Sequence, residues 1–139
     1  MTKQTVAKVE LERFLKVAVL CQEKDASNVY MPCCYVDKVW HELLTDTVEY
    51  TRIVSHVFSG EIDHISIKGS GIVEWVPLYE EKFGKLHSIW FTDENEIVNE
   101  KSYGEYLETG VMRASWDCTP YIRPKKSGPV KSTVQQASL

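Results

Sequence analysis

The stretch of sequence that decides the predicted fold reads Val36-Asp37-Lys38-Val39-Trp40-His41. It opens a regular stripe of side chains that are mostly apolar and step by four and three residues: Val36, Trp40, Leu43, Thr47, Tyr50, Val54 and Val57. A spacing of three and four residues places side chains on one face of an α-helix. The pattern therefore predicts one long amphipathic helix over residues 35–58.

One histidine of this stretch has a neighbour that could orient it. His41 lies at the border of the apolar stripe, one helical turn after Asp37. A carboxylate at this spacing can reach the imidazole, orient the ring and favour its protonated form. A structural hydrogen bond, a general base and a metal ligand would all show this pattern. The simplest interpretation is a half-buried histidine packed between helices, and the other two stay open.

Helices are also predicted on both sides of this stretch. The first, over residues 5–22, follows from the stripe Ala7, Leu11, Phe14, Ala18 and Cys21. Gly60 is predicted to end the long helix as a left-handed cap. A third helix is predicted to open at Ser70 or Gly71 and to close at Gly84, with Pro77 as a kink or as part of its true first turn. A short helix over residues 103–107 should stop at Gly110.

Extended structure is predicted to be minor. Residues 62–67 alternate in polarity but are too few to decide between conformations. The turn-forming run 93–96 is flanked by apolar residues and predicts a small β-hairpin. Residues 115–120 should form an extended segment that lays Trp116 on the core. The predicted fold class is mainly α, a compact domain of three to four helices with a small β-hairpin and an extended C-terminal segment.

Composition and charge indicate which class of protein this is. A chain of 139 residues with 43% apolar residues is typical of one globular domain, predicted here over residues 1–121. The rest, 122–139, has four basic residues and no acidic one, and it is predicted to be a solvated tail. The net charge of −4 therefore leaves −8 on the domain, which argues against a nucleic-acid partner.

Location follows from what the sequence lacks. The first residues show no apolar leader segment, and no run approaches the roughly 18 apolar residues that a membrane span needs. We therefore predict a cytoplasmic protein without a membrane partner. The four cysteines show no paired spacing, which agrees with reduced thiols.

Three short motifs together resemble a known family. They read V-D-x-x-W-H at residues 36–41, D-T-x-x-Y at 46–50, and Gly60 with His64 four residues later. The set resembles short bacterial proteins related to the plant glycine-rich-domain proteins, whose usual pattern is V-D-x-x-W-H-x-H, then L-x-T-x-x-Y and a histidine pair. Here Leu43 replaces the second histidine, and Ile65 follows His64. The resemblance implies a related fold and no settled activity.

The favoured function is a non-enzymatic protein that binds another protein or a small molecule, without a cofactor. It is favoured because the chain has no Gly-rich phosphate loop, no nucleophile elbow and no Cys-x-x-Cys pair. The residues predicted to contribute to binding are Asp37, Trp40, His41, Tyr50 and His64.

Two alternatives use the same histidines. The first is a zinc site built from His41 and His64, with Asp37, Cys34 or Cys118 as further ligands, since mixed nitrogen, oxygen and sulfur ligation suits zinc. The second is a Cys-His enzyme with Cys34 or Cys118 as nucleophile and His41 as base, which needs a thiol with a lowered pKa.

Overall fold

The computed structural model describes residues 1–23 and 29–124. Within these residues the chain forms five α-helices, one short 3₁₀ helix and two long β-strands. The α-helices are α1 (Lys3–Glu23), α2 (Cys34–Leu44), α3 (Thr47–Ser55), α4 (Val76–Phe83) and α5 (Glu100–Thr109). The strands are β1 (Gly60–Ile72) and β2 (Arg113–Pro124), and the 3₁₀ helix is Ser88–Phe91. Helix accounts for 53% and strand for 23%, so the fold is mixed α and β, and the prediction of a mainly α fold is wrong.

The error lies in the segment that forms β1. Strands β1 and β2 pair antiparallel from Gly60 opposite Pro124 to Ile72 opposite Arg113, with one irregularity in the register between Ser66 and Gly69. Gly60 and Gly71 have φ angles of 153° and 144°, so Gly60 begins a strand instead of capping a helix, and the helix predicted to open at Ser70 or Gly71 starts only at α4. Strand β1 contains four isoleucines, two of them, Ile65 and Ile67, at alternate positions, and β-branched residues favour a strand.

The small hairpin predicted around residues 93–96 is almost absent. The residues before the turn form the 3₁₀ helix, and only an isolated bridge between Thr92 and Val98 pairs the two sides. The Asp93 carboxylate accepts hydrogen bonds from the backbone N–H groups of Asn95 and Ile97, which closes the turn locally without a ladder of paired strands.

The long helix predicted over residues 35–58 is two helices. Helix α2 ends at Leu44, and Asp46 caps the start of α3 by accepting a hydrogen bond from the Glu49 backbone N–H at 3.2 Å. An aspartate at this position satisfies one of the unpaired N–H groups of a new helix. The apolar stripe survives the break in part: Leu43 and Val54 are buried.

The predicted apolar stripe of helix α1 is buried, and it contacts aromatic residues from three other parts of the chain. The Phe14 ring contacts the rings of Trp40, Trp75 and Trp90 at centroid distances of 6.1, 5.2 and 5.8 Å. Trp116 does not join them. It is only partly buried and stacks on Tyr30 at 4.5 Å, so the prediction that it lies on the core is wrong.

A buried carboxylate lies beside these aromatic rings. Glu10, which is 4% exposed, accepts hydrogen bonds from the Tyr79 hydroxyl and from the Trp90 indole N–H at 3.0 Å. The Arg13 guanidinium, one turn along α1, donates to its other oxygen at 3.2 Å. Three donors therefore satisfy a group that would be costly to bury alone.

Strand β2 extends beyond the predicted end of the domain. Ile122 is buried, and Arg123 donates hydrogen bonds to Asp63 and Glu61 of the paired strand, so residues 122–124 belong to the sheet and not to the predicted tail. The tail prediction for 125–139 lies outside the described residues. None of the helices in residues 1–23 and 29–124 combines the length and the hydropathy that crossing a membrane requires.

Candidate metal centre

Three side chains with metal-binding chemistry converge from three separate elements. Asp37 comes from α2, His64 from β1 and Cys118 from β2. In the sheet, Ser66 lies opposite Cys118 and His64 opposite Pro120. Because residues two apart in a strand share a face, and directly opposite residues do too, His64 and Cys118 lie on the same face as neighbours. Helix α2 brings Asp37 to that face.

The carboxylate of Asp37 is the centre of the cluster. Its Oδ1 lies 3.3 Å from His64 Nε2 and accepts a hydrogen bond from the Cys118 thiol at 3.1 Å. The three ligand atoms of Asp37, His64 and Cys118 all lie within 4.8 Å of one another. Among the described residues, this is the group of three or more side chains close enough to share one metal ion.

His41 lies beside this cluster. Its Nε2 is 3.4 Å from Oδ2 of Asp37, so the contact expected from the four-residue spacing is present. Its ring also meets the His64 ring edge to face, with centroids 4.3 Å apart. The side chain is 56% exposed, more than the half-buried packing between helices that the sequence suggested.

The thiols of this region are not activated. Burial, and then the hydrogen bond to Asp37, raise the pKa of Cys118 well above its ordinary value, so the thiol is protonated and donates to the carboxylate. Burial and the nearby carboxylate of Glu94 raise the pKa of Cys34. A nucleophilic cysteine needs a lowered pKa and a basic neighbour. The hydrogen bond from Cys118 goes to a carboxylate and not to a histidine, so the thiol has a raised pKa and does not form the Cys-His hydrogen bond of such an enzyme.

The two predicted aromatic site residues, Trp40 and Tyr50, contact the strand that carries His64. Trp40 is fully buried, and its indole N–H donates to the Tyr50 hydroxyl at 3.2 Å. That hydroxyl donates in turn to the Ile62 carbonyl at 2.7 Å, two residues before His64. Trp40 also contacts the His64 ring edge to face at 4.6 Å. Both aromatic residues therefore hold β1, and with it His64, against α2.

Cys34 lies outside the group of mutually close ligand atoms. It lines a separate cavity of about 490 Å³ together with Asp37, Lys38, Lys68 and other residues. A larger groove, of about 1040 Å³, lies along the first residues of β1, from Gly60 to Asp63, and includes Tyr50 and Phe58 in its lining.

The sequence predicts Asp37 as the group that orients His41 and as one possible metal ligand, but not as the residue at the centre of the cluster. The structure shows that it contacts two histidines and a thiol at once. The alternation of polarity over residues 62–67 was the signal that could have placed His64 on a strand face. No comparable signal identified Cys118 as its neighbour.

Comparisons with known protein families, with curated proteins and with solved structures found no match to this chain. The resemblance to the glycine-rich-domain relatives therefore stays a prediction.

Proposed function

We propose that this protein binds a transition-metal ion, with zinc as the ion that suits the site best, through Asp37, His64 and Cys118. The observation that carries the proposal is the convergence of these three ligand atoms, from three different elements, to within 4.8 Å of one another. The proposal keeps the protein in the class of binding proteins and requires no enzymatic activity.

The spacing of the donor atoms suits a small ion. Zinc is bound at about 2.0 to 2.3 Å from its ligands, so oxygen, nitrogen and sulfur donors around one tetrahedral ion lie about 3.2 to 3.8 Å apart. The contacts of Asp37 Oδ1 with His64 Nε2 and with Cys118 Sγ, at 3.3 and 3.1 Å, are near this range. The donor atoms of His64 and Cys118 lie within 4.8 Å of each other, so side-chain movements that bring this pair into the same range would admit the ion.

The chemistry of the donors also favours zinc. A carboxylate, an imidazole and a thiolate together provide mixed oxygen, nitrogen and sulfur ligation, which suits zinc better than calcium or magnesium. Without a metal ion, the Cys118 thiol keeps its proton and donates it in a hydrogen bond to the Asp37 carboxylate, so the two groups lie close together without two negative charges. A bound dication would replace that proton, and its charge would balance the carboxylate and the thiolate.

The cluster is partly open to solvent. The Cys118 side chain is buried, whereas the Asp37 and His64 side chains are 21% and 16% exposed. The soft ligand is thus held inside, and the other two ligands are partly accessible to an ion from solvent.

Metal content provides the test. The purified full chain is incubated with zinc sulfate, dialysed, and analysed for zinc by elemental analysis. We expect one zinc per chain, and we expect Cys118→Ser and His64→Gln to lose it. The matched control is His56→Gln, because His56 is an exposed histidine that pairs with Glu12, away from the cluster. Zinc well below one per chain, or full zinc content in Cys118→Ser, would contradict the proposal.

A further inference from the structure

We infer that His41 is the fourth ligand of this metal site, and that the ion closes a clamp which fastens the β1–β2 ribbon to α2. This inference rests on the proposed function, and it assigns the ion a structural role. Zinc sites with four protein ligands are typically structural, whereas catalytic sites keep one position open for water or substrate.

The position of His41 allows it to complete the ligand set. It follows Asp37 by four residues on α2, so both side chains lie on one helix face. The His41 Nε2 is 3.4 Å from Asp37 Oδ2, and its ring lies 4.3 Å from the ring of His64. A side chain already in contact with two of the three ligands needs only a change of side-chain torsion to reach the same ion.

The exposure of His41 removes the main obstacle to that movement. The side chain is 56% exposed, so it is not locked by close packing as the buried Cys118 is. Its rotation would cover the outward side of the cluster, where the ion would otherwise meet solvent. The resulting shell would hold two ligands from α2 and one from each strand.

The site lies where the ribbon changes from buried to exposed. In β1, the residues beyond His64 are exposed from position 65 to position 70. In β2, the segment 118–120 is buried, whereas residues 113–117 are exposed or partly exposed. An ion held by His64 and Cys118 would therefore fix both strands next to the more exposed half of the ribbon, where Trp116 still contacts Tyr30.

The first experiment measures ligation by His41. The full chain is titrated with cobalt(II), whose visible spectrum reports tetrahedral coordination and thiolate ligation, and cobalt and zinc affinities are compared between the natural protein and His41→Ala. We expect affinity to fall by more than about 100-fold, which exceeds the roughly 10- to 100-fold cost of losing an outer hydrogen-bond partner of a ligand. His56→Gln is again the matched control and should bind with unchanged affinity. A smaller loss in His41→Ala would place His41 outside the ligand shell and overturn the inference.

The second experiment tests for a closed shell and a clamp. Azide added to the cobalt-loaded protein should leave its spectrum unchanged, because no coordination position is open. Zinc should slow amide hydrogen exchange in residues 60–72 at least about tenfold in the natural protein but not in His41→Ala. A spectral change with azide, or equal protection in both proteins, would overturn the inference. If the natural protein binds neither cobalt nor zinc, the proposed function itself fails, which is a different result from tight binding that does not depend on His41.

Discussion

Replacing Glu10 by alanine should destabilise the protein more than any other single change of an acidic residue on α1. The substitution removes the acceptor of two buried donors, the Tyr79 hydroxyl and the Trp90 indole N–H. Tyr79 is 0% and Trp90 1% exposed, so water cannot replace the lost partner without entering the core. Both donors would be left unsatisfied.

The magnitude follows from those two donors. Each buried donor left without a partner costs about 1 to 3 kcal/mol, so the free energy of unfolding should fall by about 2 to 6 kcal/mol. That is a large share of the about 5 to 15 kcal/mol that stabilises a typical domain. Glu10→Gln keeps one oxygen as an acceptor and weakens mainly the contact with the partly exposed Arg13, so it should cost only about 1 kcal/mol.

Urea denaturation followed by tryptophan fluorescence measures these values. Glu12→Ala is the control, because Glu12 lies on the same helix and pairs with His56 at the surface, and such pairs contribute less than about 1 kcal/mol. Tyr79→Phe combined with Glu10→Ala should cost less than the sum of the two single changes, since they share one hydrogen bond. If Glu10→Ala loses no more stability than Glu12→Ala, the buried network does not stabilise the protein as described.

Three further predictions concern glycine, a thiol and a hydroxyl. A Cβ at Gly69 would lie 2.6 Å from the indole nitrogen of Trp116, so Gly69→Ala should displace that ring and cost about 1 to 3 kcal/mol of unfolding free energy. Gly104 has open space around it in a helix, so Gly104→Ala should stabilise the protein by about 0.5 to 1 kcal/mol. Equal effects of the two substitutions in urea denaturation would contradict this. Burial raises the pKa of Cys33 from 9.0 to about 11, so its contribution to stability is complete below pH 9 and is lost as pH rises through 11. The free energy of unfolding, measured by urea denaturation at increasing pH, should fall by at most about 3 kcal/mol from this thiol, and Cys33→Ala should lack the contribution of Cys33 to that fall. Tyr50→Phe removes the hydroxyl that joins α2 to β1, so it should lower the unfolding free energy by about 1 to 2 kcal/mol and weaken zinc binding; unchanged zinc affinity would show that this contact does not position the site.

The sequence alone determined the parts of the structure that depend on near neighbours. Helix α1 follows from apolar residues spaced three and four apart over about four turns, and it is present with its stripe buried. Pro77 lies in the first turn of α4, one of the two positions its fixed φ allowed. The contact between Asp37 and His41 is also local, because four residues of helix bring the two side chains together whatever the rest of the chain does.

The pattern was less decisive where two local signals competed. The apolar stripe resumes at Thr47 in the same phase after Leu43, which predicts one continuous helix. Asp46 nevertheless caps a new helix, because its side chain accepts a hydrogen bond from the Glu49 backbone N–H. The segment 60–72 carries both glycines and isoleucines, and its state depends on having a partner strand.

Only the tertiary structure decided that Asp37, His64 and Cys118 lie close enough together to share one metal ion. His64 and Cys118 meet because Ser66 lies opposite Cys118 in the β1–β2 register, and Asp37 meets both because α2 packs on that face of the sheet. Strand pairing between segments about fifty residues apart depends on packing and loop closure and leaves no periodic signal in either segment. The sequence could therefore name each of these residues as a candidate, but not that they lie together.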